Sequence, residues 1–214
     1  MKTTFRCNPT DLTNVRGHRM QLYVNGRDHT LVTLASAHEV RQKIDFFVEE
    51  TLSPMVADED VTFVPIMDGA MEFMTDLTRG LSHSSSVAIN SVRASRYGQG
   101  QLRGIVNVFE NQLDTELICG KKVIVVDDLL VSGHTARAVV DEVKHLGALE
   151  VITIFLCRKM RPDHAIRPDF WLFSVHPSTW CVGKGMAHER RLRHLTSIYD
   201  VRAENYNEHG FRIS

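Results

Sequence analysis

The stretch Val123–Thr135, VIVVDDLLVSGHT, carries residues whose types and spacing could do chemistry. Four branched apolar residues lead into Asp127 and Asp128, and a short loop of small and polar residues follows. Paired carboxylates can bind sugar hydroxyls or a divalent metal, while such a loop entering a helix can hold a phosphate with hydroxyls and free backbone amides. The pattern therefore predicts a site for a phosphorylated sugar. The alternative is a strand end whose Asp pair caps a helix, or the acidic pocket of a response regulator.

Alternating helices and strands must position this stretch. The predicted helices are His38–Leu52, Ala70–Leu81 and Ala136–Leu146, and the predicted strands are Val61–Pro65, Ser86–Ser91, Ile105–Phe109, Val123–Val126 and Val151–Leu156. Before residue 38 the chain is polar, and no regular element is predicted there. Short apolar strands between amphipathic helices are typical of a mostly parallel sheet covered on both faces. Ligands of such sheets bind beyond the carboxyl ends of the strands, where the two aspartates are expected.

Length and composition bound the class of protein. A chain of 214 residues is long enough for one sizeable globular domain. Its formal net charge of -1 lacks the concentrated basic surplus of a dedicated nucleic-acid or membrane binder, so neither partner is expected. No window approaches the roughly 18 apolar residues of a membrane span. The four cysteines form no CxxC pair and the first residues lack the apolar run of a signal peptide, so we expect a cytoplasmic protein.

Val123–Thr135 resembles the phosphoribosyl-pyrophosphate signature of the type I phosphoribosyltransferases. Their pattern is an apolar strand, two acids, two apolar residues, an acid, a small residue, Gly, any residue and Thr. Three segments narrow the resemblance to the 6-oxopurine branch, the hypoxanthine-guanine phosphoribosyltransferases. They are VTFVPIMDGAMEFMTDLTRGL, similar to the pyrophosphate loop with its strand and helix; ASRYGQGQLRG, similar to the mobile loop; and RPDFWLFSVHPSTWCVGKGM, similar to the purine-binding region. Order and spacing agree from about Val61 to Leu195.

The resemblance implies an α/β fold, in which a mostly parallel twisted sheet is flanked by helices and terminal segments form a small hood. A single domain is expected over residues 1–214, with a core at about 38–160 and a hood from the N-terminal segment and about 161–214. The resemblance also implies a homo-oligomer, either a dimer or a tetramer.

Roles for individual residues follow from the resemblance, beginning with the phosphoribosyl group. Asp127 and Asp128 would hold the ribose hydroxyls and Mg²⁺. Arg193 would meet the pyrophosphate, although a stretch such as HERRLRH is otherwise a solvated face. The residues implied for the 5'-phosphate are Ser132, Gly133, His134 and Thr135. The positions implied in the pyrophosphate loop and the mobile loop are Asp68, Gly69, Ser95 and Tyr97.

The same resemblance implies a purine site near the C-terminus. Lys159 would donate to the 6-oxo group, Trp180 would stack on the base, and the backbone of Cys181 would meet the exocyclic edge. Taken alone, a Lys after a strand is most often a solvated charge, and a lone Trp is more often part of a core or interface. Because a lysine has no acceptor for a 6-amino group, 6-oxopurines are expected to bind better than adenine.

Four positions depart from the family pattern. Val131 stands where the family has an aspartate that exchanges a proton with N7 of the purine, and valine has no proton to exchange. Ala187 replaces a metal-binding aspartate, with His188 and Glu189 next to it in sequence. Asp68 replaces a common lysine and would face a polyanion. In the mobile loop, Arg96 precedes Tyr97 where a serine is usual.

Three functions are consistent with these features. The first is transfer of a phosphoribosyl group from phosphoribosyl pyrophosphate to hypoxanthine or guanine, as in purine salvage, with weakened catalysis or an altered base. The second is a catalytically impaired relative that binds a nucleotide and serves as a regulator or assembly partner, which Val131, Ala187 and Asp68 together favour. The third is an RNA-binding regulator built on the same fold, which the balanced charge disfavours.

Overall fold

The computed structural model describes residues 8–15, 17–24, 26–81, 86–95, 107–108 and 113–202. The strands are β1 (Thr10–Asp11), β2 (Arg19–Val24), β3 (Arg27–Ala35), β4 (Asp60–Met67), β5 (Ser86–Ile89), β6 (Val92–Ser95), β7 (Asn107–Val108), β8 (Lys122–Leu130), β9 (Glu150–Lys159), β10 (Phe170–Val175), β11 (Cys181–Val182) and β12 (Ile198–Arg202). The α-helices are α1 (Ala37–Phe47), α2 (Ser53–Val56), α3 (Met71–Arg79) and α4 (His134–His145). A π-helical turn, Val48–Leu52, joins α1 to α2, and a 3-10 turn, Thr115–Leu117, precedes β8.

An eight-stranded sheet forms the centre of the molecule. Its order is β1-β10-β9-β8-β4-β6-β7, and β5 pairs with the first half of β4. Every pairing in this sheet is parallel except that of β6 with β7. The expected fold class, a mostly parallel sheet flanked by helices, is therefore confirmed. β8 lies at the centre, so the residues at its carboxyl end stand between neighbouring strands on both sides.

Both faces of the sheet are buried, as alternation along β8 shows. Ile124 and Val126 belong to the core cluster under α1 and α3, whereas Val123 and Val125 belong to the cluster under α4. Successive side chains of a strand point to opposite faces, so an unbroken apolar run is what a doubly covered strand requires. This arrangement explains why VIVV shows no polar alternation.

A second sheet of four antiparallel strands, in the order β11-β12-β3-β2, is built from both ends of the described chain. Its buried core is small and consists of Leu31, Val182, Leu192 and Val201. The hairpin of β2 and β3 was not expected, because β2 is largely exposed and the apolar residues of β3 do not alternate strictly with polar ones. The domain boundaries at about residues 38 and 160 stay predictions.

The elements around the predicted site are longer than the sequence pattern indicated. β8 continues through the two aspartates to Leu130, and β9 continues to Lys159, because the parallel ladder pairs Leu130 with Arg158. A polar side chain does not interrupt backbone pairing when it projects from the sheet edge. Helix α4 begins at His134, two residues before the predicted start. The predicted strand Ile105–Phe109 overlaps β7 at residues 107–108, and its remaining residues lie outside the described part.

No helix in the described part of the chain is long and apolar enough to cross a membrane.

Candidate active site

Two adjacent carboxylates lie near the carboxyl end of the central strand. Asp127 and Asp128 belong to β8, and the backbone N–H of Asp128 donates to Oδ1 of Asp127 at 2.9 Å. Burial raises the pKa of Asp127 well above its usual value, and the nearby charge of Asp128 raises it further. Burial also raises the pKa of Asp128. Two such carboxyls are stabilised by a cation or by a shared proton, so the pair is suited to a metal or to sugar hydroxyls.

A short loop follows the carboxyl end of β8 and leads into α4. The chain turns at Val131 and Ser132, and Gly133 adopts a left-handed conformation with φ of 79° as the N-cap of α4. The N-cap residue, Gly133, has no side chain to cap this helix, so first-turn amides such as that of Thr135 are suited to bind a ligand. The N-terminus of a 12-residue helix also carries the positive end of the helix dipole. The loop therefore has the amides and the field that bind an anion.

The segment after β9 fixes the shape of this loop. The backbone N–H of Ala165 donates to the carbonyl of Ser132 at 2.8 Å. A Cβ placed on Gly133 would lie 3.0 Å from Cγ2 of Ile166, so there is little room for a side chain at that position. Val131 is partly buried in the same turn, where it offers only methyl groups. Contacts from the segment after β9 thus fix the loop. At position 131, where the family has a titratable aspartate, the loop carries no acid or base.

The candidate pyrophosphate loop joins β4 to α3 and lies against the carboxylates. A Cβ on Gly69 would come within 2.4 Å of Oδ2 of Asp128, so only glycine permits this approach. The peptide bond between Met67 and Asp68 is cis. The side chain of Asp68 accepts from Nη2 of Arg93 at 3.1 Å, between the carboxyl end of β4 and the beginning of the neighbouring β6. This guanidinium offsets the charge of a carboxylate that was expected to face a polyanion.

Arg193 lies close to the pyrophosphate loop and to the two carboxylates. Its Nη1 donates to the carbonyl of Gly185. A Cβ on Gly185 would lie 1.9 Å from the carbonyl oxygen of Gly69, so the two glycine backbones are in direct contact. Burial dominates the pKa of both aspartates, but the positive charge of Arg193 opposes the rise. The sheet edge, the pyrophosphate loop and Arg193 therefore form one continuous polar region.

The residues predicted for purine binding converge on a neighbouring region. Burial lowers the pKa of Lys159, and the nearby Cys181 and Asp200 oppose that shift. Burial raises the pKa of the Cys181 thiol to about 12, so this thiol is protonated at neutral pH. The side chain of Trp180 is 45% exposed, and its backbone N–H donates to Oδ1 of Asp200 at 3.0 Å. A partly exposed indole beside a half-buried ammonium is a suitable surface for a planar ring with a carbonyl group.

His188 follows Ala187, the position where the family has a metal-binding aspartate. Its buried ring packs edge-on against Trp180, with 6.0 Å between ring centroids, and against His29 of β3 at 4.9 Å. Burial lowers the pKa of His188, His29 lowers it further, and Glu189 opposes both. In the described structure His188 thus packs behind the candidate base-stacking residue.

A metal ion would need help from the substrate. Within residues 8–15, 17–24, 26–81, 86–95, 107–108 and 113–202, no three His, Cys, Asp or Glu side chains converge to hold one. A cation on Asp127 and Asp128 would take its remaining oxygens from phosphate groups and water, which is how Mg²⁺ is usually bound beside phosphates.

Other predicted residues and several unexpected ones complete the description. Ser95 ends β6, and Tyr97 lies outside the described residues. Sequence reasoning missed Arg93, His29 and the buried ion pair between Lys184 and Asp76. One signal was present: Asp76 lies on the face of α3 that also buries Phe73, Met74 and Leu77. An acid on an apolar helix face requires a partner.

Comparisons with known proteins agree with these features. The family model described as phosphoribosyl transferase domain matches residues 33–185. The hypoxanthine-guanine phosphoribosyltransferase of Aquifex aeolicus is 28% identical over 178 residues, covering 82% of this chain and 97% of the relative. The hypoxanthine phosphoribosyltransferase of Escherichia coli is 28% identical over 176 residues, covering 81% of this chain and 96% of the relative. A crystal structure of a hypoxanthine phosphoribosyltransferase from Staphylococcus aureus matches with a TM-score of 0.71 at 20% identity, covering 82% of this chain and 93% of that one, and supports the fold.

Proposed function

We propose, since the chain belongs to the phosphoribosyl transferase domain family, that it transfers the phosphoribosyl group of phosphoribosyl pyrophosphate to hypoxanthine or guanine. The products are the nucleoside 5'-monophosphate and pyrophosphate, as in purine salvage. One observation carries the proposal: the two carboxylates of β8 are followed, after a short loop, by the N-terminus of α4, whose N-cap Gly133 provides no side-chain cap. We expect one sugar phosphate to engage both, because its ring hydroxyls and its 5'-phosphate belong to one small molecule.

The base specificity is argued from the residues around Lys159. Its ammonium can donate to a 6-oxo group and cannot accept from a 6-amino group. Trp180, which is 45% exposed, has ring surface available for stacking, and the neighbouring Cys181 offers backbone groups to the exocyclic edge. The name of the relative in Aquifex aeolicus contains hypoxanthine and guanine, and that of the relative in Escherichia coli contains hypoxanthine, which supports the assignment of 6-oxopurines.

The bond between C1 of the ribose and the pyrophosphate oxygen breaks, and the electron pair leaves with that oxygen. A base nitrogen forms the new bond to C1 and gives up its proton to water or to the departing pyrophosphate, because Val131 cannot accept it. Positive charge develops on the sugar and negative charge on the departing pyrophosphate. We expect Arg193 to stabilise the latter and Asp127 and Asp128 to hold the ribose. Mg²⁺, held by the same two carboxylates, would supply charge neutralisation to the leaving group. Gly69 would bring backbone amides to the pyrophosphate.

A second function is favoured by Val131 and Ala187. Neither side chain can exchange a proton or bind a cation, so the chain can hold the nucleotide while turning over slowly. General acid–base catalysis contributes typically about 10²–10⁴-fold, and positioning with leaving-group stabilisation can remain without it. The alternative is therefore a nucleotide-binding regulator with the same ligand site.

The test is an assay of pyrophosphate release with phosphoribosyl pyrophosphate, Mg²⁺ and hypoxanthine, guanine or adenine in turn. Release with hypoxanthine and guanine but not with adenine supports the transferase. Tight binding of guanosine 5'-monophosphate without turnover supports the regulator. If the chain binds neither phosphoribosyl pyrophosphate nor guanosine 5'-monophosphate, the proposed site is wrong. A filter-binding assay with RNA then tests whether the chain is an RNA-binding regulator.

Location and assembly are also part of the proposal. We expect the protein in the cytoplasm, and as a homodimer or homotetramer, as the family resemblance implies. Sedimentation of the full chain with and without phosphoribosyl pyrophosphate measures the assembly state directly.

A further inference from the structure

Residues 183–195, which we call the strap, run from β11 towards β12 and carry Arg193. The strap begins with three successive left-handed residues: Gly183 has φ of 92°, Lys184 has 49° and Gly185 has 98°. The turn folds the chain back so that the N–H of Lys184 donates to Leu195 at 2.7 Å and that of Gly185 donates to Arg193 at 3.0 Å. Lysine rarely adopts this conformation, so contacts outside the turn must hold it there.

The backbone of the strap contacts the pyrophosphate loop on one side. Gly185 lies against the carbonyl of Gly69, and Gly69 in turn lies against the carboxylate of Asp128. The carbonyl of Gly185 also accepts from the guanidinium of Arg193. The contacts of Gly185 with Gly69 and with Arg193 therefore set the distance between Arg193 and the pyrophosphate loop.

The side chain of Lys184 reaches the helix that follows the same loop. Its ammonium forms an ion pair with Asp76 of α3, and the two side chains are 9% and 10% exposed. Asp76 is surrounded on its helix face by the buried Phe73 and Leu77. A buried charge left without its partner is strongly unfavourable, so this pair has little freedom to separate. α3 and the strap are thus tied together by Lys184, the residue that precedes the contact of Gly185 with Gly69.

We infer that the ion pair between Lys184 and Asp76 is a positioning device, which holds Arg193 and the pyrophosphate loop at the spacing that binds pyrophosphate. Lys184 itself is not a catalytic residue, because its ammonium is buried on Asp76. The identity of the ligand rests on the proposed function. The inference adds that recognition of the pyrophosphate end depends on this pair, while recognition of the nucleotide end does not.

The experiment compares two ligands that divide the site. Pyrophosphate with Mg²⁺ needs Arg193 and Gly69, whereas guanosine 5'-monophosphate uses the loop after β8 and the purine region. Binding of each is measured by calorimetry on the full chain carrying Lys184→Met or Asp76→Asn. Small misplacements of binding groups can cost up to about 100-fold, so we expect pyrophosphate to bind about 10- to 100-fold more weakly. The affinity for the monophosphate should change less than about threefold, within the usual scatter for uninvolved sites.

Two controls separate positioning from stability. Lys184→Arg keeps the charge and should restore most of the pyrophosphate affinity. A double-mutant cycle of Lys184→Met with Arg193→Gln should be non-additive for pyrophosphate, because both changes act on one contact. If Lys184→Met does not fold, Asp76→Asn, which keeps an oxygen acceptor for the ammonium, carries the same comparison.

Several outcomes overturn the inference. Equal weakening of both ligands, or a lower melting temperature with unchanged pyrophosphate affinity, reduces the ion pair to a structural contact. Additive effects of Lys184→Met and Arg193→Gln lead to the same conclusion. If the wild-type chain binds neither pyrophosphate nor the monophosphate, the proposed function itself fails. This failure is distinct from failure of the inference, because it is seen in the wild type before any variant is compared.

Discussion

Val131 interrupts an otherwise complete phosphate loop with a side chain that has no proton to give. The neighbouring turn is intact, since Ser132 accepts from Ala165 and Gly133 caps α4. We predict that Val131→Asp raises turnover with hypoxanthine or guanine by roughly 10²–10⁴-fold, the contribution expected of a positioned acid or base. Affinity for the monophosphate should hardly change. Steady-state pyrophosphate release at saturating Mg²⁺ measures the first quantity, and calorimetry measures the second.

The matched control is Val131→Asn, which has the shape of aspartate without its titration and should stay slow. Ala187→Asp added to Val131→Asp tests whether the second missing carboxylate limits leaving-group departure. A wild-type rate equal to or above that of both variants would show that valine is no defect. Three inert proteins that still bind the nucleotide would favour the regulator.

His188 makes stability depend on pH. Burial and the neighbouring His29 lower its pKa, so the unfolded chain binds this proton more tightly than the folded one. The stabilisation is complete above the ordinary histidine pKa of about 6.5 and is lost as the pH falls below it. We predict that the free energy of unfolding decreases between pH 7 and pH 5, and that His188→Phe reduces this decrease. Urea titrations at each pH measure it, with His38→Phe, a change at an exposed position, as control.

An unchanged slope for His188→Phe would mean that other groups dominate the acid sensitivity of the protein. The same variant keeps an aromatic ring behind Trp180, so a loss of base affinity is not expected from it.

Single residues differ in how well the sequence predicts them. Asp127, Asp128 and the loop to Thr135 lie within one short stretch, where spacing alone predicts their chemistry. Lys184 and Asp76 are 108 residues apart, and nothing local connects them. The pairing of Asp68 with Arg93 could not be predicted from the sequence either, because it depends on β4 and β6 being neighbours in the sheet.

At the scale of elements, the backbone extends regular structure beyond the apolar pattern. The ladder of β8 with β9 runs to the pairing of Leu130 with Arg158, so the aspartates stand within a strand rather than after it. In the hairpin of β2 and β3, β2 is largely exposed, and β3 buries Leu31, Val32, Leu34 and Ala35 without strict alternation, so a hydrophobicity pattern shows no clear two-residue period. The large sheet was predictable because its strands are buried on both faces, and the small sheet was not.

The turn between β8 and α4 gives an element-scale prediction. Gly133 combines a φ of 79° with a close approach to Ile166, so Gly133→Ala adds backbone strain and a contact at 3.0 Å. The left-handed conformation costs about 1–2 kcal/mol for a residue with a Cβ. We predict that the free energy of unfolding falls by at least this amount. We also expect the monophosphate to bind at least about tenfold more weakly, because the amides of the turn shift. Thermal unfolding and calorimetry measure the two effects.

Gly120→Ala provides the matched comparison. Gly120 also has a left-handed φ, of 69°, but a Cβ there has nothing within 4 Å. It should lose stability through backbone strain alone and keep its affinity for the monophosphate. Equal binding by both variants would indicate that the turn at Gly133 does not form the phosphate site.

On the scale of the whole molecule, the proposed ligand site lies where the two sheets meet. The large sheet contributes the carboxylates and Lys159, while the small sheet contributes Cys181 through β11 and holds Asp200 in β12. The strap connects the two, through Gly185 on the side of the pyrophosphate loop and Lys184 on α3. A ligand that spans this junction contacts both sheets, so binding and global unfolding should be coupled.

This coupling leads to the last prediction. A ligand that binds only the folded state at about 100 times its Kd stabilises it by about 2.7 kcal/mol, and each kcal/mol raises the Tm of a 150–250-residue protein by about 2–4 °C. Guanosine 5'-monophosphate with Mg²⁺ should therefore raise the Tm by roughly 5–10 °C. Thr135→Ala removes a hydroxyl from the phosphate loop, and the loss of a hydrogen bond to a charged group costs about 1.5–3 kcal/mol, so this variant should lose about half or more of the shift at the same concentration. Adenosine 5'-monophosphate keeps the phosphate but gives Lys159 no 6-oxo group, and should produce a smaller shift in the wild type. Equal shifts with the two nucleotides would remove Lys159 from base recognition, and an unchanged shift in Thr135→Ala would remove the loop after β8 from phosphate binding.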